Sequence, residues 1–575
     1  MNWWQKTLRN IKKSWLGRGW NRFWLWKNNV SKLKYLLFWY IVIVVASSLL
    51  LYSPITQNDP NNAISYVDSV FTTASAFSDT GLVVVDTWSH WNWFGQAIIA
   101  VLILAGGIGI FALKFFLINY LFGVKKSTLG EMKLLQDERG GVDANKTSKL
   151  IIDSVKFLLV AIFIFSIILS IYFYFASPEN FQTAAIKKDL NNNYKNPHHN
   201  WLLAIRFGIF HTISAINNAG FDIISGNSLM PYYSDYFLQS CFIILLIIGG
   251  LGYPTLYDIV SYFQHKIKRK KHSYKFSLFT KVSLVTYLLV FIVGFILSLS
   301  LEISSHDPFS FWNKMDLEAL SKNQQHLSLY NQYLAKGLPK LSKEYVALEQ
   351  YYYYGGVNQK LFAIFFSSLS TRSAGFGTIN LKDLTSGSIF VFTIMMIIGA
   401  APASTGGGIR TTTFALFIMS IVSMLMGLPR IRMFKRSINK ETVDMSAKVI
   451  AIALVVILIA TLICYTSFNT YNGKINLVDY QTNLELYQKF PQLKNFLTHN
   501  TPYGTEHVLF EVASAFGTTG LSTGLTKSLN FASKVAIIIV MFIGQFGISS
   551  TLLVWKRKHS NNRRYEYIDG DLTIG

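Results

Sequence analysis

Long apolar blocks alternate with polar or basic segments along most of the 575-residue chain. Most of these blocks are close to the ~20 apolar residues that an α-helix needs to cross ~30 Å of hydrocarbon. The pattern therefore predicts eight membrane-spanning helices. They are Leu33–Tyr52, Ile98–Phe122, Leu150–Phe175, Phe237–Val260, Phe279–Leu301, Ile389–Met426, Val449–Cys464 and Ala532–Trp555.

Four further apolar segments, each between two of these blocks, are too short to cross. A helix from Val67 to Phe77 would be only ~16 Å long, about half of a crossing. Backbone at membrane depth without helical bonding is tolerated only where it is buried in protein or lines a watery cavity. We therefore predict re-entrant helices that enter the membrane and return on the same side. They are Val67–Phe77, Trp201–Ile216, Asn358–Leu369 and Thr505–Phe516.

A related segment covers the end of each short helix and the loop that follows it. The four segments align on one glycine in the loop. Their sequences FTTASAFSDTGL, FHTISAINNAGF, FFSSLSTRSAGFGT and FEVASAFGTTGL begin at Phe71, Phe210, Phe365 and Phe510. Each aligned glycine and its preceding residue form the pairs Thr80-Gly81, Ala219-Gly220, Ala374-Gly375 and Thr519-Gly520. Recurrence at such long spacing indicates four large units rather than a solenoid.

The predicted fold is an all-α integral membrane protein with four repeats, each consisting of a membrane helix, a pore loop and a second membrane helix, around a pseudo-fourfold pore. The repeats are expected at 33–124, 149–263, 276–427 and 445–555. The third repeat carries a polar outer insertion at 302–359. A second glycine cluster follows each loop, where small residues would let inner helices approach closely.

Composition supports the membrane class, because 51% of the residues are hydrophobic and only 14% are charged. The net charge of +23 is concentrated between repeats, at 125–149, 266–271 and 430–440, in the arm 1–32 and in the tail 556–575. The positive-inside rule then places these segments and both termini in the cytoplasm of a cell-membrane protein, with the loops facing outward. The basic run KIKRKK at 266–271 sits in a short linker, which favours a lipid-facing turn over nucleic-acid binding.

The second apolar block of the third repeat, Ile389–Met426, is too long for one straight helix. Its middle, 399–411, contains a proline and three consecutive glycines, which should unwind the helix into a flexible intramembrane loop under the third pore loop. The alternative is a glycine-rich kink used for close packing. The residues expected in the loop are Ala401, Pro402, Ser404, Thr405, Gly406, Gly407 and Gly408.

The loops have the chemistry of a cation filter. A cation that leaves water needs replacement oxygens, and backbone carbonyls supply them where glycine permits the required φ and ψ values. The short helices would aim the negative ends of their dipoles at the pore centre. We expect Asp79 either to attract cations at the mouth or to cap a turn. We expect Arg372 to turn away from the axis and bond to a neighbouring loop, with Glu511 and Glu506 as candidate partners. We expect Asp258 to hold helix ends near the cytoplasmic side.

Three function classes are open to such a chain: K⁺ uptake, Na⁺-selective or weakly selective cation transport, and catalysis within the membrane. The enzyme class fails because the sequence lacks HExxH, Walker A and GxGxxG motifs and has no paired His or carboxylates along one span. The two cysteines, Cys241 and Cys464, lie within predicted spans and support neither a disulfide framework nor a metal site.

The motifs SAFSDTGL, SAINNAGFD, STRSAGFGT, SAFGTTGLSTGL, GGLGYPTLYD and GAAPASTGGGIRTTT resemble those of the Trk/Ktr/HKT superfamily of potassium transporters. They are most similar to the membrane subunit of the bacterial Ktr type. The resemblance implies K⁺ as the transported ion, a homodimer with one pore per subunit, and gating by a cytoplasmic ring of partner subunits. The nucleotide would bind to that ring and not to this chain. The Ala401–Arg410 segment matches the family's intramembrane gating loop. The resemblance leaves a role for Na⁺ open. Relatives that prefer Na⁺ carry Ser where this chain has Gly81.

One position departs from the family pattern. The second span of the last repeat usually carries an arginine just below the filter, and here the matching residue is Gln545. A neutral amide removes an electrostatic barrier in the cavity, so we expect faster or less tightly closed conduction than in relatives with the arginine.

Overall fold

The computed structural model describes residues 32–59, 64–121, 144–269, 274–307, 309–316, 319–320, 322, 326, 351–471, 474–476 and 503–548. The predicted all-α class is confirmed for this part of the chain, with five short strands in addition. Most of the predicted N-terminal arm, the C-terminal tail, the linker 122–143 and most of the insertion 302–359 lie outside the described residues.

The α-helices are numbered here in chain order. They are α1 Lys32–Tyr52, α2 Tyr66–Phe77, α3 Thr87–His90, α4 Trp93–Ile108, α5 Ile110–Phe116, α6 Ala144–Phe175, α7 Ala184–Leu190, α8 Trp201–Ile216, α9 Tyr236–Gly250, α10 Tyr253–Ile267, α11 Leu278–Ser304, α12 Val357–Ser370, α13 Ser386–Ile397, α14 Thr411–Leu425, α15 Lys440–Tyr465, α16 Thr505–Phe516 and α17 Phe531–Phe546.

The strands form two small antiparallel sheets that the sequence did not predict. One is a hairpin between α14 and α15, and the other joins the end of α15 to the start of α16. The strands are β1 Arg432–Met433, β2 Arg436–Ser437, β3 Asn469–Tyr471, β4 Lys474–Asn476 and β5 Tyr503–Gly504, in the orders β1-β2 and β3-β4-β5.

Four helices, α1, α6, α11 and α15, are long and apolar enough to cross a membrane. Each is the first apolar block of one predicted repeat, and each is followed along the chain by one of the short helices α2, α8, α12 and α16. Helices α8 and α16 have the predicted bounds. Helix α2 begins one residue earlier than predicted, and α12 is one residue longer than predicted at each end. A side chain caps two of them, because Ser65 accepts from Asp68 N and Asn200 accepts from Leu203 N.

The second apolar block is not a continuous helix in the first two repeats, which corrects the prediction of straight spans over Ile98–Phe122 and Phe237–Val260. The helix axis bends by 86° between α4 and α5 and by 107° between α9 and α10. The breaks fall at Gly109 and Gly252, which have φ of +89° and +79°. Positive φ interrupts a right-handed helix and is accessible mainly to glycine. The hydropathy pattern did not reveal the breaks because the helices on both sides of each break are apolar.

The later second blocks are broken as well. In the third, residues 398–410 separate α13 from α14, so the predicted interruption is present. In the fourth, α17 ends at Phe546 and is followed by Gly547 with φ of +81°. The predicted span Ala532–Trp555 is therefore shorter as a straight helix, and its residues 549–555 lie outside the described part.

The helices pack in a cycle. The helix before each break contacts the short helix of the next predicted repeat, and the last contacts the first. The contacts join α4 to α8, α9 to α12, α13 to α16 and α17 to α2. The last unit therefore meets the first through α17 and α2, and the four loops after the short helices are brought towards one centre.

Glycines permit the close approach of the second helix to the short helix of its own unit. A Cβ added to Gly106, Gly249 or Gly544 would overlap the carbonyl oxygen of Phe77, Ile216 or Phe516, the last residue of α2, α8 or α16. In the third unit the predicted cluster Gly406–Gly408 lies instead in the loop after α13. The cluster there does not serve helix packing as the other three do.

Two adjacent glycines at the end of α9 provide a matched test of this packing. Gly249→Ala should lower the melting temperature of the detergent-solubilised protein, because overpacking costs about 1–3 kcal/mol and the displaced atom is backbone. Gly250→Ala should be tolerated, because a Cβ there first meets the Tyr287 ring at 3.4 Å. Equal melting temperatures for the two variants would contradict the packing argument.

Candidate functional site

The four aligned glycines share a backbone conformation that side chains rarely allow. Their φ angles are +82° at Gly81, +67° at Gly220, +77° at Gly375 and +87° at Gly520. Only glycine adopts this region without a steric cost.

The same four glycines are neighbours in a closed cycle. Each one abuts the residue that precedes the glycine of the next unit, and a Cβ would press on that residue's carbonyl oxygen. Such a Cβ on Gly220 would stand 3.1 Å from the oxygen of Ala374 and 2.7 Å from the Cα of Gly375. The pairs in order are Gly81 with Ala219, Gly220 with Ala374, Gly375 with Thr519, and Gly520 with Thr80. Main chain therefore meets main chain all around this glycine ring.

The approach to the ring is also alike in the four loops. The residue two positions before each glycine is left-handed, with φ between +46° and +69°, at Asp79, Asn218, Ser373 and Thr518. The residue directly before each glycine donates its N–H to a serine carbonyl near the end of the short helix, at 2.8–2.9 Å. These bonds run from Thr80 to Ser75, Ala219 to Ser214, Ala374 to Ser370 and Thr519 to Ser514.

All four ring glycines lie in the wall of one cavity of about 270 Å³, which we call the mouth pocket. Its wall also contains four charged residues: Asp86, Asp222, Lys382 and Lys527. Lys527 donates to both carboxylate oxygens of Asp86 at 2.8 and 2.9 Å. The carboxylate of Asp222 accepts backbone N–H bonds from Ile224 and Ser225 at 3.2 Å.

The expected mouth position of Asp79 is wrong. Asp79 is buried and is not in the wall of the mouth pocket. Its carboxylate accepts instead from the Gln545 amide at 3.3 Å. A buried carboxylate needs hydrogen-bond donors, and the Gln545 amide supplies one at this position.

The segment 398–410, which we call the crossing loop, lies close to the ring. A Cβ on Gly406 would stand 2.6 Å from the Cβ of Ser373, and one on Gly407 would stand 2.6 Å from the Cγ2 of Thr518. Ser404 and Thr405 are buried in the same loop. The crossing loop therefore packs against the residues that precede the ring glycines in the third and fourth units, and none of its residues lies in the wall of the mouth pocket.

Backbone hydrogen bonds hold the crossing loop to the break between α9 and α10. Ala401 N donates to Gly250 O at 3.2 Å, and Tyr253 N donates to Ala403 O at 3.0 Å. The break also brings Gly252 so close that a Cβ would stand 2.5 Å from the carbonyl oxygen of Pro402. The break between α9 and α10 in the second unit is thus the surface on which the crossing loop of the third unit packs.

Polar side chains join the crossing loop to the last helix. Gln545 Nε2 donates to the carbonyl of Thr405 at 3.2 Å as well as to Asp79. Arg410 donates to the carbonyl of Gly406 and, at 2.7 Å, to that of Gln545. One cluster therefore links the first, third and fourth units directly beside the ring.

This combination of a glycine ring, a pocket and a covering loop can be compared with known proteins. The family model for TrkH, described as a cation transport protein, matches residues 27–479 and 494–566. The chain belongs to the TrkH family of cation transport proteins.

Relatives and a solved structure of this family cover most of the chain. An uncharacterized cation transporter of Mycoplasma genitalium is 31% identical over 93% of this chain and 96% of its own length. Ktr system potassium uptake protein D of Bacillus subtilis is 30% identical over 95% of this chain and 98% of its own. The crystal structure of the potassium transporter TrkH from Vibrio parahaemolyticus matches with a TM-score of 0.52 at 16% identity, over 91% of this chain and 84% of that one.

These comparisons confirm the predicted resemblance to Trk and Ktr transporters and the predicted membrane fold. They also confirm that the chain is a transporter and not an enzyme, and that it is a multi-pass membrane protein.

Arg372 has other partners in this TrkH-family chain than the sequence suggested. Its guanidinium donates to the carbonyls of Met395 at 3.0 Å, of Ile398, and of Gly399 at 2.6 Å. The ring of Tyr287 lies 5.0 Å from the guanidinium carbon. Because α13 unwinds after Ile397, its last carbonyls lack intrahelical partners, and a planar group with five donors satisfies several at once.

The carboxylates proposed as partners of Arg372 are used elsewhere. Glu511 accepts from the N–H and hydroxyl of Thr523 and from the hydroxyls of Ser522 and Thr526, so it anchors the loop after Gly520. Glu506 accepts from the Ser386 hydroxyl at 2.9 Å. The two candidate partners of Arg372 are therefore wrong, although its guanidinium does bond to a neighbouring loop, through the carbonyls of Ile398 and Gly399.

Asp258 lies far from the ring, on α10. Its carboxylate accepts from the Ser277 N–H at 3.0 Å, the Thr280 hydroxyl at 2.6 Å and the Tyr274 hydroxyl at 3.3 Å. It thereby ties the end of one predicted repeat to the first turn of α11, the first helix of the next. This is the geometry that the expected structural role requires.

Four residues at the site were absent from the sequence-based set: Arg410, Asp86, Asp222 and Lys527. Arg410 and Asp222 could have been found, since each lies within two residues of a predicted site residue. Asp86 and Lys527 carried no local signal, because their pairing depends on contact between the first and last units.

Arg372→Lys should destabilise this TrkH-family protein although it keeps the charge. An ammonium cannot bond three carbonyls in the plane of the guanidinium, and each buried polar group left unsatisfied costs about 1–3 kcal/mol. Melting in detergent would measure the loss, with Arg206→Lys as the control, because Arg206 bonds only the side chain of Gln96. An Arg372→Lys variant as stable as the Arg206→Lys control would contradict this role.

Proposed function

We propose that the chain carries K⁺ into the cell, with the glycine ring as its selectivity filter. The observation that supports this most strongly is that four positive-φ glycines, one from each quarter of the chain, adjoin one another in the wall of one pocket. K⁺ as the ion follows from the resemblance and from the B. subtilis relative, which is a potassium uptake protein.

The proposed filter uses backbone oxygens. Carbonyls of Thr80, Ala219, Ala374 and Thr519 would replace the water around a K⁺ ion, as carbonyl rings do in cation filters. The helices α2, α8, α12 and α16 end immediately before the four loops. Their C-terminal dipole ends add partial negative charge that favours a cation over an anion.

The crossing loop is the proposed gate. It packs against the residues that precede the ring glycines in the third and fourth units and is held there by Gln545, by Arg410 and by backbone bonds to the α9/α10 break. Opening would need these bonds to break, which is a movement that a partner could drive. The resemblance supplies that partner: a cytoplasmic nucleotide-binding ring that docks on a homodimer of the chain at its basic segments.

The first test is growth of a K⁺-uptake-deficient bacterial strain at low external K⁺. The chain should restore growth, and Gly81→Ser should abolish it or shift uptake towards Na⁺, because a side chain at Gly81 displaces the carbonyl of Ala219. Gly377→Ala is the matched control, since Gly377 lines the same pocket but a Cβ there meets nothing closer than 3.6 Å.

Uptake of Rb⁺ with and without competing Na⁺ makes this test quantitative. The proposal expects Na⁺ to compete weakly with the parent chain and more strongly with Gly81→Ser. Equal competition by Na⁺ and K⁺ in the parent would favour the weakly selective alternative, and growth of Gly81→Ser like that of Gly377→Ala would contradict the filter.

A second test concerns the gate. Gln545→Arg should lower Rb⁺ flux and leak in liposomes, because a guanidinium next to Asp79 and Thr405 adds positive charge below the ring and further donors to the crossing loop. Gln545→Leu is the companion variant. It adds no charge and loses both amide bonds, so it should raise the leak. Unchanged flux and leak in both variants would contradict this role.

A further inference from the structure

The wall of the mouth pocket contains two lysines, Lys382 and Lys527, and Lys527 is held by an ion pair. The Lys527 ammonium lies in the pocket wall together with the four ring glycines. Lys527 belongs to the short turn Leu525–Ser528 that follows the fourth ring loop, and its side chain is 48% exposed. An ion that reaches the ring through this pocket must therefore pass a permanent positive charge.

Asp86 holds that charge to one side. Asp86 follows the first ring loop, and its two carboxylate oxygens accept from Lys527 Nζ at 2.8 and 2.9 Å. The pair spans the contact between the last and the first unit, where no peptide bond joins the two. Asp86 is only 29% exposed, so the carboxylate is the more fixed member of the pair.

A second carboxylate in the pocket wall follows its ring glycine more closely along the chain than Asp86 does. Asp222 lies two residues after Gly220, in the wall of the same pocket, and interacts electrostatically with both Asp86 and Lys527. Without Asp86, the Lys527 ammonium would be drawn to Asp222. It would then sit beside the ring and cancel the remaining negative charge of the pocket.

We propose that Asp86 is a positioning residue that keeps the Lys527 ammonium out of the ion path, so that this pair sets how readily cations reach the ring. The inference rests on the proposed function. It differs from a simple ion-pair tether, because it predicts unequal effects of removing the two partners.

The test is initial Rb⁺ uptake by K⁺-depleted cells that express the parent, Asp86→Asn, Lys527→Gln or the double variant in equal amounts at the surface. Asp86→Asn should lower uptake at low external Rb⁺ on the order of three- to tenfold, and more strongly at low ionic strength, where charge is less screened. Lys527→Gln should transport as well as the parent or better. The double variant should recover the level of Lys527→Gln.

Two controls separate position from folding and from surface charge. Asp86→Glu retains the carboxylate and should keep most of the uptake. Glu179→Gln breaks the exposed pair with Lys187, which is outside the mouth pocket, and should change nothing.

A tether alone predicts equal losses for Asp86→Asn and Lys527→Gln with no recovery in the double variant, and that result would overturn the proposal. Loss of uptake in Lys527→Gln would overturn it even if Asp86→Asn failed to reach the membrane. Absence of K⁺-selective uptake by the parent would instead remove the proposed function itself.

Discussion

The structure depends on the contact of main chain with main chain at the glycine ring. Each of the four glycines presses on the carbonyl of the residue before the next glycine, at separations that leave no room for a Cβ. Positive φ at each of them is the conformational condition for that contact. The four loops therefore contact one another there through main-chain atoms.

The surrounding helices can be understood as what brings four loops this close. Each short helix packs on the second helix of the preceding unit. Helices α2, α8 and α16 also pack on the second helix of their own unit, where Gly106, Gly249 and Gly544 admit the helix-end carbonyls. The cycle is closed without a covalent link between its last and first members. Gln545, Asp79, Asp86 and Lys527 form polar bonds across that junction.

Much of this arrangement was predictable from the lengths of the apolar blocks and the spacing of the repeated loop motif. Hydropathy located the long helices, and a limit on length identified the short ones, with both bounds right for Trp201–Ile216 and Thr505–Phe516. The sequence could not show where helices bend or which partners the charged side chains have. The bends at Gly109 and Gly252 each lie between two apolar helices, so hydropathy does not mark them. The partner of the Asp79 carboxylate is Gln545, a residue of the last unit that no local pattern connects to it. Arg372 found carbonyls rather than carboxylates because α13 ends within its reach.

The central claim is that the four carbonyls before the ring glycines jointly bind a dehydrated K⁺ ion. Anomalous diffraction from crystals of the full chain soaked in Tl⁺, a heavy substitute for K⁺, tests it most directly. The account predicts a peak on the axis of the ring, in contact with the carbonyl oxygens of Thr80, Ala219, Ala374 and Thr519, that K⁺ displaces and an equal concentration of Na⁺ does not. Tl⁺ bound only at carboxylates of the mouth pocket, with the ring empty, would contradict it.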